Sequence, residues 1–182
     1  MMAPARFNKR VYTPRSFARA LRDVLAHLPD TAQAARGGRV GRAFAEKIML
    51  AVTQVNGCVY CDYAHTRWAL ASGVSPEEIK RLAAGDLGGF AESEAVALMF
   101  AQHVAERGGQ PNPTAWARLA DYYGEETARD IMAYIRMIMM GNLLGNTSDY
   151  LIYRLTGRTP GGWLSRLDMA RAAARPAPQS DE

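Results

Sequence analysis

Four side chains within one short stretch of the chain could carry out redox and proton-transfer chemistry. Cys58 and Cys61 form a Cys-x-x-Cys motif, and His65 follows one turn later in the same predicted helix. On an α-helix, positions i, i+3 and i+7 lie along one face, so two thiols and an imidazole share one stripe. Two thiols at this spacing can exchange electrons by opening and closing a disulfide between them.

The position of the thiols in the predicted helix adds to this interpretation. They follow directly after Asn56-Gly57, a dipeptide typical of a turn or a helix C-terminus. Unpaired backbone N–H groups and the helix dipole at the start of a helix favour a thiolate. A Cys-x-x-Cys motif there commonly has one thiol with a lowered pKa. His65, one turn beyond Cys61, could accept or relay the proton of that cysteine.

Glu46 supplies a carboxylate in the helix predicted before the turn. If the two helices form an antiparallel hairpin, Glu46 lies about 16 Å back from the turn and His65 about 11 Å forward. Glu46 is then nearer to His65 than to either cysteine, and its side chain can close the remaining gap directly or through a water. The spacing therefore predicts a proton relay from Glu46 through His65 to Cys61.

Two alternatives to a redox pair remain open from the residues alone. Cys58 and Cys61 could be buried thiols that act as small hydrophobic groups. They could also bind zinc together with His65 and Glu46, although structural zinc sites usually draw ligand pairs from two separate elements, and the sequence has no second pair. A c-type haem site is excluded, because it needs a histidine directly after the second cysteine and Asp62 stands there.

Helix signals dominate the rest of the chain, and no segment alternates as a strand would. We therefore predict an all-α fold, a helical bundle of about seven or eight helices. Residues 1–41 are predicted as an N-terminal helix and a linker, the Ala- and Gly-rich stretch Thr31 to Gly41 being the linker. Residues 42–155 are predicted as the main domain. Residues 156–182 are predicted as a C-terminal amphipathic helix and a disordered tail.

The segment from Glu125 to about Leu155 is predicted as one long helix or two in tandem. Gly141 and Gly145 are four residues apart in it, which indicates close approach of another helix. Asn142 and Asn146 have the same spacing and are predicted to cap or bridge packed helices. Because this segment is apolar on more than one face, we predict that neighbouring subunits cover the excess in a homo-oligomer.

Composition limits the classes of function. The chain has 182 residues, of which 48% are hydrophobic and 22% charged, enough to bury a core and too apolar for wholesale disorder. Its net charge of +4 comes from scattered arginines and a few lysines, so we expect no nucleic-acid partner. No apolar run is long enough for a membrane span, and no apolar region follows the basic N-terminus as in a secretory signal. We expect a cytoplasmic protein without a membrane partner.

With these residues in view, the sequence resembles the carboxymuconolactone decarboxylase superfamily, and within it the alkylhydroperoxidase AhpD-like proteins. The resemblance rests on Glu46, then eleven residues, then Cys58, Cys61 and His65. Asn56-Gly57 before the motif and the segment from Ala71 to Ile79 after it agree as well. The resemblance covers roughly residues 42–150, and the spaced pattern of four residues is far more specific than Cys-x-x-Cys alone.

The resemblance implies an all-α fold, a homo-oligomer (trimer or hexamer) and an antioxidant thiol peroxidase. It implies that Cys61 is the attacking thiol, Cys58 the resolving thiol, and His65 with Glu46 the proton relay that activates Cys61. No organic cofactor is implied, since the dithiol carries the electrons. The implied partners are a small-molecule hydroperoxide or a protein disulfide as oxidant, and a cytosolic thiol reductant. The alternatives are a decarboxylase-type lyase and a non-catalytic redox- or metal-sensing module.

One residue departs from the family's pattern. Characterised peroxidase members have a histidine just before the second cysteine, and this sequence has Tyr60. A phenol, with a pKa of about 10, cannot replace an imidazole as a base at neutral pH, although it can donate a hydrogen bond. Tyr60 and Trp68 are predicted to line the mouth of a pocket beside Cys61. The Cys-x-x-Cys pair, absent from the family's decarboxylase branch, argues for redox chemistry.

Overall fold

A computed structural model describes residues 7–157 of the chain. Within this range there are eight α-helices and no strand, which confirms the predicted all-α fold. The helices are α1 (Pro14–Ala26), α2 (Leu28–Gly37), α3 (Arg42–Asn56), α4 (Val59–Ala71), α5 (Pro76–Ala84), α6 (Glu92–Glu106), α7 (Pro113–Tyr123) and α8 (Glu125–Thr156). Of residues 156–182, predicted as a C-terminal amphipathic helix and a tail, residues 158–182 lie outside the described part of the chain.

Helix α3 is the centre of the bundle. It packs against α4, α5, α6 and α8, and all its residues from Ala45 to Thr53 are buried. Ile48, Ala51 and Val52 have no accessible surface. Apolar burial on this scale is the main force that stabilises a helical domain. The part of α4 that carries Cys61 and His65 therefore lies next to a well-packed central helix, α3.

Helix α8 is the longest element, with 32 residues, and contacts α2, α3, α4, α6 and α7. The segment predicted as one helix or two in tandem is a single helix. Its buried face combines apolar residues with Asn142, Asn146 and Asp149, each at most 1% exposed. Because buried polar side chains need partners, this row of polar residues requires matching groups on the helices that pack against it.

The N-terminal linker prediction is wrong for most of its length. Helix α2 occupies Leu28–Gly37, and only residues 38–41 connect it to α3. Pro29 lies in the first turn of α2, where proline begins a helix as readily as it ends the one before. Ala34 is buried against the bundle, and Gly38 ends the helix with a φ of 65°. The domain boundaries at 41/42 and 155/156 remain predictions.

Candidate active site

The tight connection between α3 and α4 positions both cysteines. Helix α3 ends at Asn56, and Gly57 adopts the left-handed conformation with a φ of 66°. Cys58 then has extended backbone angles and is the N-cap of α4. Its Sγ atom accepts a hydrogen bond of 3.3 Å from the backbone N–H of Cys61. The helix N-terminus therefore directs one of its unpaired donors at a sulfur, which stabilises negative charge there.

The two sulfurs differ in their environments. Cys58 and Cys61 lie at disulfide-bonding distance, with their Cα atoms 5.4 Å apart. Cys58 is only 1% exposed, whereas Cys61 is half-buried and lines a surface pocket. A reagent in that pocket meets Cys61, whereas Cys58, which lines a separate pocket between α3, α4 and α5, exposes almost no surface.

Gly145 of α8 lies directly against the dithiol. A Cβ atom at this position would lie 2.7 Å from Cys58 Sγ and 3.9 Å from Cys61 Sγ. Since real Cβ contacts essentially never come under 3.0 Å, only glycine fits here without displacement of the sulfurs. The close approach that the glycine spacing predicts occurs at Gly145. At Gly141 a Cβ atom would meet nothing within 4 Å.

Glu46 and His65 form a direct hydrogen bond, with 2.7 Å between Glu46 Oε2 and His65 Nδ1. Both side chains are largely buried, at 8% and 13% exposed. Because an ionised carboxylate only accepts hydrogen bonds, this contact assigns the proton of a neutral imidazole to Nδ1 and leaves Nε2 as the basic nitrogen. The edge of the His65 ring meets Trp68, with the ring centroids 5.0 Å apart.

A surface pocket of about 400 Å³ lies between α4 and α8, and Cys61 and His65 both line it. Its lining combines a thiol, an imidazole, aromatic rings and small residues: Tyr60, Cys61, Ala64, His65, Trp68, Gly141, Gly145 and Ser148. Both predicted pocket residues, Tyr60 and Trp68, are among them. The wall is mainly apolar, and its reactive groups are one sulfur and one imidazole. This arrangement suits a small reagent that carries an apolar group.

Side chains of α8 also fix the end of α3 just before the cysteines. Asn146 Nδ2 donates a hydrogen bond of 2.8 Å to the backbone oxygen of Asn56, one of the carbonyls left unpaired at a helix C-terminus. Thr53 Oγ1 donates one of 3.1 Å to Asn142 Oδ1. Both asparagines therefore bridge packed helices, as their spacing predicts, and hold the turn that carries Cys58.

Sequence reasoning missed three contributors to the site. It interpreted Gly145 only as a packing residue, and it did not single out Asp149 or Lys9. Asp149 is 1% exposed and pairs with Lys9 across 3.3 Å. Burial, followed by the charge of Asp149, raises the pKa of Tyr60. One signal was present: Asp149 lies four residues after Gly145, on the helix face that carries Asn142 and Asn146. Nothing in the local pattern of Lys9 indicated its partner.

No cluster within residues 7–157 brings together three or more His, Cys, Asp or Glu side chains in an arrangement that could hold a metal ion. Glu46 instead forms a hydrogen bond with His65, and the two sulfurs lie at disulfide-bonding distance from each other. In the same part of the chain, none of the helices is long and apolar enough to cross a bilayer.

Comparison with known proteins gives one family. No curated protein and no solved structure matches the chain. Residues 22–102 match the model of the carboxymuconolactone decarboxylase family. This segment begins within α1 and ends within α6, and it contains Glu46, Cys58, Cys61 and His65. The match covers less than half of the chain, and it agrees with the resemblance to the carboxymuconolactone decarboxylase superfamily that was drawn from these four residues: residues 22–102 are similar to this family.

Proposed function

We propose that this protein is a thiol-dependent oxidoreductase that reduces a hydroperoxide or the disulfide of a partner protein, in the manner of alkylhydroperoxidases. The observation that carries the proposal is a Cys58–Cys61 pair at disulfide distance beside a hydrogen-bonded Glu46–His65 pair, with Cys61 and His65 in one pocket. A redox-active dithiol needs a reactive sulfur, a partner sulfur and a group that moves protons. We assign these three roles to Cys61, Cys58 and the Glu46–His65 pair.

Accessibility supports Cys61 as the attacking sulfur. Cys61 lines the pocket, whereas Cys58 packs closely against Gly145 and is 1% exposed. An external oxygen or sulfur atom can therefore approach Cys61 more readily than Cys58. His65, which lines the same pocket, accepts the thiol proton at Nε2, and Glu46 stabilises the imidazolium that forms.

Hydrogen bonding supports Cys58 as the resolving sulfur. The Cys61 N–H at the start of α4 donates to Cys58 Sγ and stabilises a thiolate there. During oxidation, this thiolate attacks the oxidised Cys61 and the disulfide forms. During reduction, a reductant attacks Cys61 and the Cys58 thiolate is the leaving group, and thiols with stabilised anions leave faster.

The proposed reaction transfers two electrons to each hydroperoxide. The Cys61 thiolate attacks the terminal peroxide oxygen, the O–O bond breaks, and the proton held by His65 passes to the departing alkoxide. The products are an alcohol and a sulfenic acid on Cys61. Cys58 then forms the disulfide and releases the sulfenic oxygen as water. A cytosolic dithiol reductant reopens the disulfide and itself becomes oxidised.

The test is hydroperoxide consumption by the purified, reduced protein, followed together with intact mass. The wild type is expected to consume one equivalent without a reductant and to lose two mass units as the disulfide forms. Cys61→Ser is expected to consume none. Cys58→Ser is expected to stop at the sulfenic acid, which a dimedone adduct detects. Consumption by Cys61→Ser at the wild-type rate contradicts the proposal.

The family's name supplies a second candidate, a lyase in which Glu46 and His65 perform acid–base chemistry and the thiols are incidental. The double variant Cys58→Ser/Cys61→Ser separates the two candidates. Decarboxylation of a γ-lactone acid that survives in this variant, but not in His65→Asn, supports the lyase. Loss of all activity in the double variant supports the oxidoreductase.

A further inference from the structure

A cavity of about 630 Å³ lies between α1 and α8, away from the cysteines. Small-molecule sites usually have volumes of about 300–1,000 Å³. Arg136 and Met139 of α8 line this cavity, whereas Gly141 and Gly145 line the Cys61 pocket. At about 3.6 residues per turn, these two pairs lie on opposite faces of the helix. The cavity is therefore separate from the dithiol and has no part in the proposed reaction.

The floor of the cavity is apolar. It is formed by one face of α8, where Met132, Ile135 and Met139 are at most 7% exposed and belong to the main core. Met140 and Leu143 extend the same wall. Methionine side chains are flexible and polarisable, so a methionine-rich wall adapts to apolar groups of different shapes. This floor suits a hydrocarbon chain.

Helix α1 forms the facing wall without entering the core. An amphipathic helix on the surface of a protein usually buries its apolar side. Helix α1 has apolar residues at helical spacing, yet none of its residues is buried. Ala20 and Val24 line the cavity from this helix. The space beneath α1 is therefore open to a ligand that would cover apolar surface on both walls.

The charged residues that line the cavity are three arginines and one aspartate. Arg19 and Arg22 of α1 are exposed, and Arg136 of α8 is half-buried. Arg136 Nε lies 3.4 Å from Asp23 Oδ2, but it donates no hydrogen bond to any of the described residues. One carboxylate does not balance three guanidinium groups, so the cavity keeps an excess of positive charge.

We propose that this cavity binds a monocarboxylate with an apolar chain, of the fatty-acid type. The carboxylate pairs with the guanidinium of Arg136, whose planar set of N–H donors matches it, and the exposed Arg19 and Arg22 attract it. The chain lies on the methionine-rich floor beneath α1. The excess of positive charge selects an anion, and the floor requires that the anion carry a hydrocarbon part. The proposal does not depend on the proposed function.

The experiment is calorimetric titration of the whole protein with octanoate. We expect about one molecule to bind per chain. Octanol has the chain without the charge, and acetate has the charge without the chain. Each is expected to bind at least about tenfold more weakly, because each lacks one half of the interaction. No binding of octanoate, or equal binding of either comparison compound, would overturn the proposal.

Arg136→Gln tests the partner of the carboxylate. We expect about tenfold weaker octanoate binding, the usual loss for a hydrogen bond to a charged group. Arg129→Gln is the matched control, since Arg129 is an exposed arginine of the same helix that pairs with Glu125 and does not line the cavity. It is expected to bind octanoate as the wild type does. Equal losses in both variants would show a general effect of charge and contradict the assignment to Arg136.

Asp23→Asn gives a result that a loss of structure would not produce. It removes the carboxylate that competes for Arg136, so we expect octanoate to bind about threefold more tightly. Weaker or unchanged binding would contradict the role given to Arg136.

Ala20→Phe tests the place of the hydrocarbon chain without a change in charge. The larger side chain fills the cavity from the side of α1 and is expected to abolish octanoate binding. Octanoate is also expected to raise the unfolding temperature of the wild type but not that of this variant. Should Arg136→Gln fail to fold, this variant still decides. Unchanged affinity in Ala20→Phe would place octanoate elsewhere and overturn the proposal.

Discussion

At the residue scale, the site depends on one short contact between an acid and an imidazole from neighbouring helices. Glu46 and His65 lie on the two sides of a hairpin, and their pairing could be predicted because a hairpin fixes the register of both helices. The contact of Gly145 with Cys58 could not, since it joins helices far apart in the chain. Only packing of the whole bundle brings that pair together.

Replacement of Glu46 by Gln tests the acid at this contact. Gln keeps the size of the side chain but removes the negative charge that stabilises the imidazolium of His65. We expect the rate of Cys61 oxidation by peroxide to fall by about a hundredfold, within the usual range for loss of general acid–base assistance. Stopped-flow measurement of thiol loss checks this. Glu77→Gln, an exposed acid on α5, is the control and is expected to react as the wild type. Unchanged kinetics in Glu46→Gln would remove the acid from the relay.

At the scale of elements, helix ends could be predicted wherever a side chain caps them. Ser75 accepts a hydrogen bond from the Glu78 N–H and begins α5, and Asn112 does the same for α7 with the Ala115 N–H. Helix α2 was missed because its first residues follow α1 without a polar cap of this kind. The contact between α8 and the two cysteines could not be predicted either, because the spacing of Gly141 and Gly145 indicates that another helix approaches closely but not which one.

Gly145 and Gly141 provide a matched pair of substitutions in one helix. Gly145→Ala places a methyl group 2.7 Å from Cys58 Sγ, so the dithiol must shift. We expect a destabilisation of about 1–3 kcal/mol, as for other overpacked sites, together with slower disulfide formation. Gly141→Ala meets open space and is expected to stabilise the protein by up to about 1 kcal/mol, because alanine favours helix. Urea denaturation and disulfide kinetics check both, and equal effects of the two variants would contradict this account.

Lys47 joins three helices through two carboxylates and gives the fold a pH dependence. It is 7% exposed in α3 and lies within 2.9 Å of Glu78 on α5 and Glu94 on α6. The hydrogen bond from Lys47, followed by that from the Ser75 backbone, lowers the pKa of Glu78 from 4.5 to about 2. A lowered pKa means that this stabilisation is complete above the unfolded value and is lost as the pH falls through the folded one.

Glu78→Gln tests this pH dependence. Above pH 4.5 we expect the wild type to be more stable than the variant by about 2 kcal/mol, a value reduced for partial solvent exposure. The difference is expected to shrink as the pH falls from 4.5 towards 2, where the wild-type carboxyl group becomes protonated. Chemical denaturation across this range measures it, with the exposed Glu77→Gln as control. A difference that is independent of pH would show that the ion pair is not its source.

At the scale of the whole molecule, α8 presents an apolar stripe that the described helices leave uncovered. Met137, Leu144 and Leu151 are seven residues apart and are 39%, 40% and 56% exposed. A repeat of seven on one helix face is the spacing by which helices pair with one another. Helix α8 therefore has exposed apolar side chains outside its buried face, as the sequence predicts. This apolar stripe borders the pocket at Gly141 and Ser148.

We predict that this stripe joins subunits into a homo-oligomer. Leu144→Glu/Leu151→Glu places two charges in the middle of the stripe and is expected to give monomers, because burying unpaired charge is costly. Leu25→Glu on α1, where the leucine is 55% exposed outside the stripe, is the control and is expected to keep the oligomer. Sedimentation velocity distinguishes monomer, trimer and hexamer. A monomeric wild type would contradict the prediction.

The contribution of Gly145 to the dithiol bears on how the protein matures during synthesis. The hairpin of α3 and α4 is local, but the residue that seals Cys58 belongs to the last described helix. A chain emerging from the ribosome therefore carries both cysteines long before anything covers them. Until α8 has folded onto the hairpin, either sulfur can form a mixed disulfide with a passing thiol. The difference in exposure between the two sulfurs thus arises only with the completed bundle.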